Sequence, residues 1–321
     1  MKKMNLLLVI VLATISILPA CSPSTSSDSN PVLLKVAVLP IIDSLPLYVA
    51  EKEGLFNKHN IQVELIPVAS SAERDQLIAA GQADGMINET LSTFLFNQEK
   101  TQVKIIRYAL RPTEESGHFF ILASEKSGIT QPDQLKGVQI GVSQGTIIEY
   151  VTYRLLEAQG FSNADIVTIS VPKMSDRSAL LVSGELEAAV LPDPLATLAI
   201  KQGAKVILSD AEYPQYGFSV YTFSSKTISE HPGSIKSFLS SIEDAVTLIN
   251  ANPARYGTLL SDKKVVPDSL VNTYQVPTFP LAGVPTKDEW KDAFNWAKDN
   301  NLLGDVSIDY TSSVNSSYLP K

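Results

Sequence analysis

Residues 138–150 read Val-Gln-Ile-Gly-Val-Ser-Gln-Gly-Thr-Ile-Ile-Glu-Tyr. Four β-formers around Gly141 predict a short strand and Ser143-Gln144-Gly145-Thr146 a tight turn. Ile147 to Gln159 predicts a helix stopped by Gly160. A strand that passes through a glycine turn into a helix aims several free backbone N–H groups and the positive end of a helix dipole at one crevice. Such a crevice can hold a small ligand with a polar or anionic end and needs no catalytic side chain. The same residues also suit an ordinary βα turn whose hydroxyls cap the helix. Bond-breaking chemistry has less to work with: no paired carboxylates and no Ser/His/Asp or Cys/His set rise above background. His59, His118 and His231 are scattered without metal-ligand spacing, and only His118, beside a predicted strand, is a candidate to face the crevice. Cys21 is the single cysteine, which excludes an intrachain disulfide and a cysteine-based metal or nucleophile site. Neither a metal nor a cofactor is expected.

Similar turns recur because strands and helices alternate. Val36–Val38, Ile61–Ile66, Asp84–Ile87 and Lys104–Leu110 read as strands, with helices entered at Pro46, Ser70 and Thr90 and stopped at Gly54 and Gly81. After Phe119–Ala123 the rhythm restarts: strands at 139–142, 166–170, 188–191 and 205–208, with helices at 147–159, 176–182 and 195–202. The restart resembles a repeat. Arg74, Leu77, Gly81 and Asp84 are matched by Arg177, Leu180, Gly184 and Glu187, each 103 residues later. The expected fold is therefore α/β with two lobes, each a mainly parallel sheet flanked by helices. Phe218–Phe223 alternates as a strand and is expected to pair with Phe119–Ala123 as a two-stranded crossover. The remainder, with a long amphipathic helix over 232–250 and further helices near 267–273 and 286–300, is expected to complete the first lobe.

Ligands in open parallel sheets sit beyond the carboxyl ends of the strands. Applied here, that rule nominates the turns at 40–45, 69–72, 88–90, 143–146, 173–175 and 192–194. Their ligand-binding side chains would be Asp43, Ser44, Ser70, Asn88, Glu89, Thr90, Gln144, Thr146 and Asp193, with the backbone of Gly145 as a donor. Tyr216 and Phe218, near the crossover, could stack on a ring. Arg111 could meet an acidic ligand or make a salt bridge at the lobe boundary. Asp43, Glu89 and Asp193 disfavour a dianion. They point to amine, hydroxyl or heterocyclic N–H donors, as in a vitamin precursor, with a sulfonate-type oxyanion second.

The N-terminus carries Lys2 and Lys3, an apolar run from Leu6 to Leu18, and then Leu18-Pro19-Ala20-Cys21. This is the pattern of a signal peptide over residues 1–20, too short to span a bilayer comfortably. Its end resembles the bacterial lipobox, in which the cysteine is lipidated. Residues 22–30 are polar and Ser-rich and read as a tether, with the lipidated Cys21 and tether together covering 21–31. The formal charge is −8 before Lys2 and Lys3 are lost, and a chain this acidic has no electrostatic footprint for nucleic acid.

With these elements placed, a family resemblance becomes visible. Pro46-Leu47-Tyr48-Val49-Ala50-Glu51-Lys52-Glu53-Gly54-Leu55-Phe56, the strand with Ile61-Gln62-Val63-Glu64, the step Leu77-Ile78-Ala79-Ala80-Gly81-Gln82-Ala83-Asp84, and Gly141–Thr146 with Glu149-Tyr150 together resemble the SsuA/THI5-like (NMT1-like, nitrate/sulfonate/taurine-type) solute-binding proteins. The resemblance spans about Leu34 to Phe223. It implies a two-lobed, type II periplasmic-binding-protein fold that captures a small molecule and delivers it to an ABC importer. It also implies a monomer held to the cell membrane by its lipid. Lobe 1 would comprise 32–115, lobe 2 116–216, and 217–321 the return strand and helical completion of lobe 1. Family members that make the thiamine pyrimidine carry a cysteine-rich iron motif, which Cys21 alone cannot supply, so an enzyme of vitamin-precursor metabolism is the alternative rather than the first reading. A ligand-presenting sensor is a third.

Overall fold

The computed structural model describes residues 31–320; the expected signal peptide, Cys21 and the expected tether up to residue 30 lie outside the described residues. The first sheet uses β1 (Leu33–Val38), β2 (Gln62–Pro67), β3 (Gly85–Asn88) and β4 (Val103–Leu110), with α1 (Leu45–Lys52), α2 (Leu55–Lys58), α3 (Ser71–Ala79) and α4 (Thr90–Phe96) between them. The second sheet uses β5 (Phe119–Ala123), β6 (Gln139–Val142), β7 (Val167–Ser170), β8 (Ala188–Pro192) and β9 (Lys205–Ser209), with α5 (Ile147–Ala158), α6 (Met174–Ser183) and α7 (Leu195–Lys201). There follow β10 (Ser219–Ser224), α8 (Ser225–Glu230), α9 (Pro232–Ala251), α10 (Gly257–Asp262), α11 (Lys287–Asp299) and α12 (Tyr310–Ser313). Local chemistry sets these boundaries. The Ser70 hydroxyl accepts from Glu73 N–H at the start of α3, the Thr146 hydroxyl from Ile148 N–H at the start of α5, and Thr286 with Glu289 forms a capping box on α11.

The sheets have the same plan. The first runs β2-β1-β3-β10-β4 and the second β7-β6-β8-β5-β9. In each, one strand (β1 in the first sheet, β6 in the second) has a parallel partner on both sides, and one antiparallel strand lies between the third and fourth parallel strands. The expected pairing of β5 with β10 does not form. Val220 pairs with Asn88 and Tyr108 in the first sheet, and Ile121 with Val190 and Leu208 in the second. Both strands are buried apart from Phe120 and Ser224, and an interior slot satisfies the N–H and C=O groups along both edges, as an isolated two-stranded ribbon could not.

Residues 267–273 are not the expected helix. Leu270 N–H reaches Pro267 C=O and Thr273 N–H reaches Leu270 C=O, separate single turns in a stretch containing β-branched Val271 and Thr273. The tail also serves more than the first sheet. Its helix α9 packs on α1 and α2, but α11 lies against both α4 and α5. Trp290 meets Phe94 edge-on at 4.5 Å, Trp296 meets Tyr150 at 5.4 Å, and Arg154 forks onto Asp292 at 2.9 and 3.0 Å.

The 103-residue spacing has a physical cause. Arg74 on α3 and Arg177 on α6 are both buried, and each donates to the backbone of the strand that follows its helix: Nη1 to Ile87 C=O at 3.3 Å, and Nε to Val190 C=O at 2.8 Å. The two halves differ in compensation. Arg74 has Asp75 at 2.7 Å and Glu89 at 3.7 Å, whereas Arg177 meets only Ser143 Oγ and the Val171 and Val190 carbonyls. Burial without a carboxylate pulls the Arg177 pKa down to about 9.

Candidate ligand site between the lobes

The carboxyl ends of β1, β3 and β8 and the starts of α5 and α6 converge on one cavity of about 40 Å³. Its lining from the first lobe includes Asp43, Arg74, Asn88 and Glu89; from the other side come His118, Ile147, Ile148 and Met174. Three of the expected ligand residues (Asp43, Asn88 and Glu89) therefore line a single space, joined by His118 and by Arg74, which was not among them.

Asp43 belongs to a hub that joins the lobes. His118 Nε2 is 3.0 Å from Asp43 Oδ1, and its Nδ1 is 2.8 Å from Gly217 C=O. The Ser219 hydroxyl donates to the other Asp43 oxygen. One carboxylate oxygen of Asp210, Oδ1, accepts from the N–H groups of His118 and Phe119 at 2.7 and 3.0 Å. Asp193 N–H donates to His118 C=O at 3.2 Å, and Asp193 C=O accepts from Ile42 at 3.4 Å. A turn of lobe 1, both interlobe connections and the end of β8 are thus tied together by side chains with almost no solvent access. His118, the one histidine expected to be a candidate for the crevice, lines the cavity; what the sequence did not show is its partners, which lie 75 and 99 residues away.

Glu89 caps α4, accepting from Leu91 N–H at 2.7 Å and Ser92 N–H at 3.2 Å. Asn88 Nδ2 donates to Thr93 Oγ1 at 3.3 Å, but its Oδ1 has no partner, and neither has Arg74 Nη2 by hydrogen-bond geometry. Both residues line the cavity, and a buried acceptor and donor without partners are groups that a polar ligand edge can satisfy.

Other expected contacts lie elsewhere. Ser44 donates to Leu39 C=O, Ser70 caps α3, and Thr90 is buried at the start of α4. Asp193 accepts from Thr197 N–H and Oγ1 at 3.0 and 2.8 Å, capping the first turn of α7. Gln144 is exposed and bonds Thr168. The Gly145 N–H, expected to serve a ligand, donates to Glu149 Oε2 at 2.7 Å, so the turn carries its own anion. Phe218 is buried, edge-on to Tyr108 at 5.4 Å, and Tyr216 is half-buried, edge-on to Tyr150 at 5.9 Å; neither lines the cavity. Arg111 pairs with Glu289 at 2.6 Å. Among the described residues there is no His/Cys/Asp/Glu cluster able to hold a metal, and no helix long and apolar enough to cross a membrane.

The buried acids and the histidine share a titration sense. Burial lifts Glu89 to about 7, with Arg74 opposing, and burial lifts Asp210 to about 7 against the pull of His118. Burial alone would lower His118, but Asp43, Asp210 and the Gly217 carbonyl outweigh it and push it up to about 9. All three hold their protons more tightly folded than unfolded. The stabilisation is complete below the unfolded values and fades as pH rises through about 7 for the acids and about 9 for the histidine. Thermal unfolding is therefore expected to fall by at least about 5 °C between pH 5.5 and 8.5, since one pKa unit is about 1.4 kcal/mol and each kcal/mol moves Tm by about 2–4 °C. Glu89→Gln should flatten the lower part of that slope. A Tm constant across the range would contradict the assignment.

Comparison with known proteins fits this architecture. A family model described as NMT1/THI5 like matches residues 41–256. A Bacillus subtilis protein named for aliphatic-sulfonate binding is 25% identical over 277 residues, 83% of this chain and 82% of its own. A Haemophilus influenzae protein named for thiamine biosynthesis is 23% identical over 72% of each chain. The solved alkanesulfonate-binding protein SsuA from Xanthomonas axonopodis pv. citri, bound to MOPS, has a TM-score of 0.76 at 14% identity, covering 90% of this chain and 99% of that one. With its two five-stranded sheets on the plan of a periplasmic binding protein, the chain belongs to the NMT1/THI5-like family.

Proposed function

We propose that this chain is an extracytoplasmic solute-binding lipoprotein that closes two lobes on a small organic molecule and hands it, as a monomer, to an ABC permease. The observation that carries the reading is the cavity where the strand ends of both lobes meet, lined among others by Asn88 and Arg74, whose Oδ1 and Nη2 have no hydrogen-bond partner. In this reading residues 1–20 are removed, Cys21 carries the lipid, 21–31 is the tether, and the lobes are 32–115 with 217–321, and 116–216. The two sulfonate-named or sulfonate-binding relatives and the thiamine-named one support a small-solute role without fixing the solute.

The cavity favours a neutral heterocycle, such as a vitamin precursor, over a sulfonate-type oxyanion. Arg74 and His118 bring positive charge and Asp43 negative, and Glu89, lifted to about 7, adds negative charge as it ionises, so a neutral ligand disturbs this balance least. An amide-like or amidine-like edge would meet the acceptor on Asn88 and the donor on Arg74. Mass spectrometry of molecules that copurify with the mature domain, followed by calorimetry with amino-pyrimidines, flavins and alkanesulfonates, tests this. Asn88→Ala is expected to weaken the heterocycle by about 5- to 150-fold, the equivalent of about 1–3 kcal/mol. Tight binding of alkanesulfonates with none of the heterocycles would reverse the preference. Palmitate labelling that survives Cys21→Ala would remove the anchor.

A second reading, an enzyme of the same fold, draws on the upward shifts of Glu89 and His118 beside the cavity, since perturbed acids and bases gather at catalytic sites. Here both groups are already committed, Glu89 to the α4 cap and His118 to Asp43. Turnover of an amino-pyrimidine by purified protein would restore that reading.

A further inference from the structure

One stretch of the tail touches both lobes. Residues 263–274 follow α10 and lie beyond 41–256, the part of the chain that the family model matches, so the family likeness does not account for them. Lys263 ties the stretch to lobe 1: its Nζ is 2.5 Å from Glu51 Oε2 and 5.1 Å from the centroid of the Tyr48 ring, both on α1. Val265, Val266 and Leu270 are buried in the core cluster of that lobe. The same stretch meets lobe 2 at α7 and the turn before it. Lys201 Nζ donates to Ser269 C=O at 2.6 Å, and Tyr274 OH lies 3.5 Å from Asp193 Oδ2. Leu195 and Leu198 of α7 are half-buried against the same core cluster, whose buried members all belong to lobe 1 and the tail except Met174 of α6. Lobe 2 thus places three apolar side chains against the core of lobe 1, beside a segment made of turns rather than helix or strand.

We propose that residues 263–274 form a clasp between the lobes: seated on lobe 1 and holding α7 of lobe 2, the stretch sets the balance between closed and open arrangements. Every contact named is between protein groups, so closure is favoured before any ligand arrives. The clasp regulates the site of the solute-binding reading above, on which it rests. Contacts that favour closure by themselves lessen the rearrangement a ligand must drive, and so raise its apparent affinity. The seat is open to substitution, because Leu198 is half-buried and Lys201 exposed, and neither lies inside the core of its own lobe.

Pulsed electron–electron double resonance between spin labels, on ligand-free chains carrying Cys21→Ala, Gln82→Cys and Glu185→Cys, provides the test. The two labelled positions are exposed, 103 residues apart, in the turns after α3 and α6, one on each lobe. Leu198→Gln sets a polar end in the apolar seat and should raise the ratio of open to closed molecules by about five- to tenfold. Lys201→Ala loses the bond to Ser269 and should raise it by about two- to fivefold. Lys58→Ala breaks the 2.7 Å pair with Asp244, which joins lobe 1 to its own tail, and should leave the distances as in the parent. Circular dichroism checks the fold, and if Leu198→Gln does not fold, Lys201→Ala decides. Unchanged distances in the folded Leu198→Gln and Lys201→Ala variants overturn the clasp, and so does equal opening by Lys58→Ala. Either result leaves the solute-binding reading intact, since no ligand enters the measurement. A clasp that behaves as expected in a chain that binds no solute overturns that reading alone.

Discussion

Asp43→Ala should cost about 3–5 kcal/mol of folding stability, because it leaves a buried imidazole without the carboxylate that holds its proton. The loss corresponds to a fall in Tm on the order of 10 °C. The signature is in the pH profile rather than the size alone. With Asp43 gone, the largest upward pull on His118 disappears, and the decline in stability between about pH 6.5 and 9 should shrink with it. Asp43→Asn keeps a hydrogen-bonding partner for His118 and Ser219 and should lose less at low pH, yet flatten the same alkaline limb. Variants that unfold with the parent's pH profile would show that the His118 proton is held by something other than Asp43. Small-angle scattering adds a second readout: the hub joins a lobe-1 turn to both interlobe connections, so a loosened hub should broaden the distribution of lobe separations.

Trp296→Ala is the other large effect, about 3–5 kcal/mol from a cavity in a packed aromatic cluster. Trp296 is 2% exposed, edge-on to Tyr150 at 5.4 Å and to Tyr153 at 5.5 Å. Its indole N–H has no hydrogen-bond partner, so Trp296→Phe removes volume but no bond and should cost less than half as much. Chemical unfolding of the two variants decides the matter. If the phenylalanine variant is as damaged as the alanine variant, shape alone does not explain the role of this side chain.

The local structure was legible because its causes are local. Ser70 and Thr146 were readable as helix caps, Gly81 and Gly184 as stops, and the strands as short β-branched runs between them. The 103-residue echo was legible too, and its basis is that Arg74 and Arg177 perform one backbone task in two lobes, bonding Ile87 and Val190, which are themselves 103 apart. Strand partnership was not legible. Nothing within Phe119–Ala123 or Ser219–Ser224 says that each must enter the interior of a different sheet, since that choice is settled by vacancies between strands far along the chain. The site was legible in part for a related reason. Asp43, Asn88 and Glu89 sit where the strand-end rule places ligand residues. A sequence cannot show that Asp43 is held by His118 and Ser219, that Glu89 serves a helix, or that Glu149 occupies the donor at Gly145.

The position of β10 also imposes an order on assembly. Every strand of the second sheet lies within residues 119–209, and its inserted strand β5 is the first of them to be made. In the first sheet the inserted strand is made last, and β4 joins the other strands of that sheet through β10. As the chain emerges N-terminus first, the later half can finish its sheet while the earlier half waits with a gap. A nascent chain halted after residue 209 would carry a complete second sheet beside a first one still lacking its keystone, and it would need shelter for that interval.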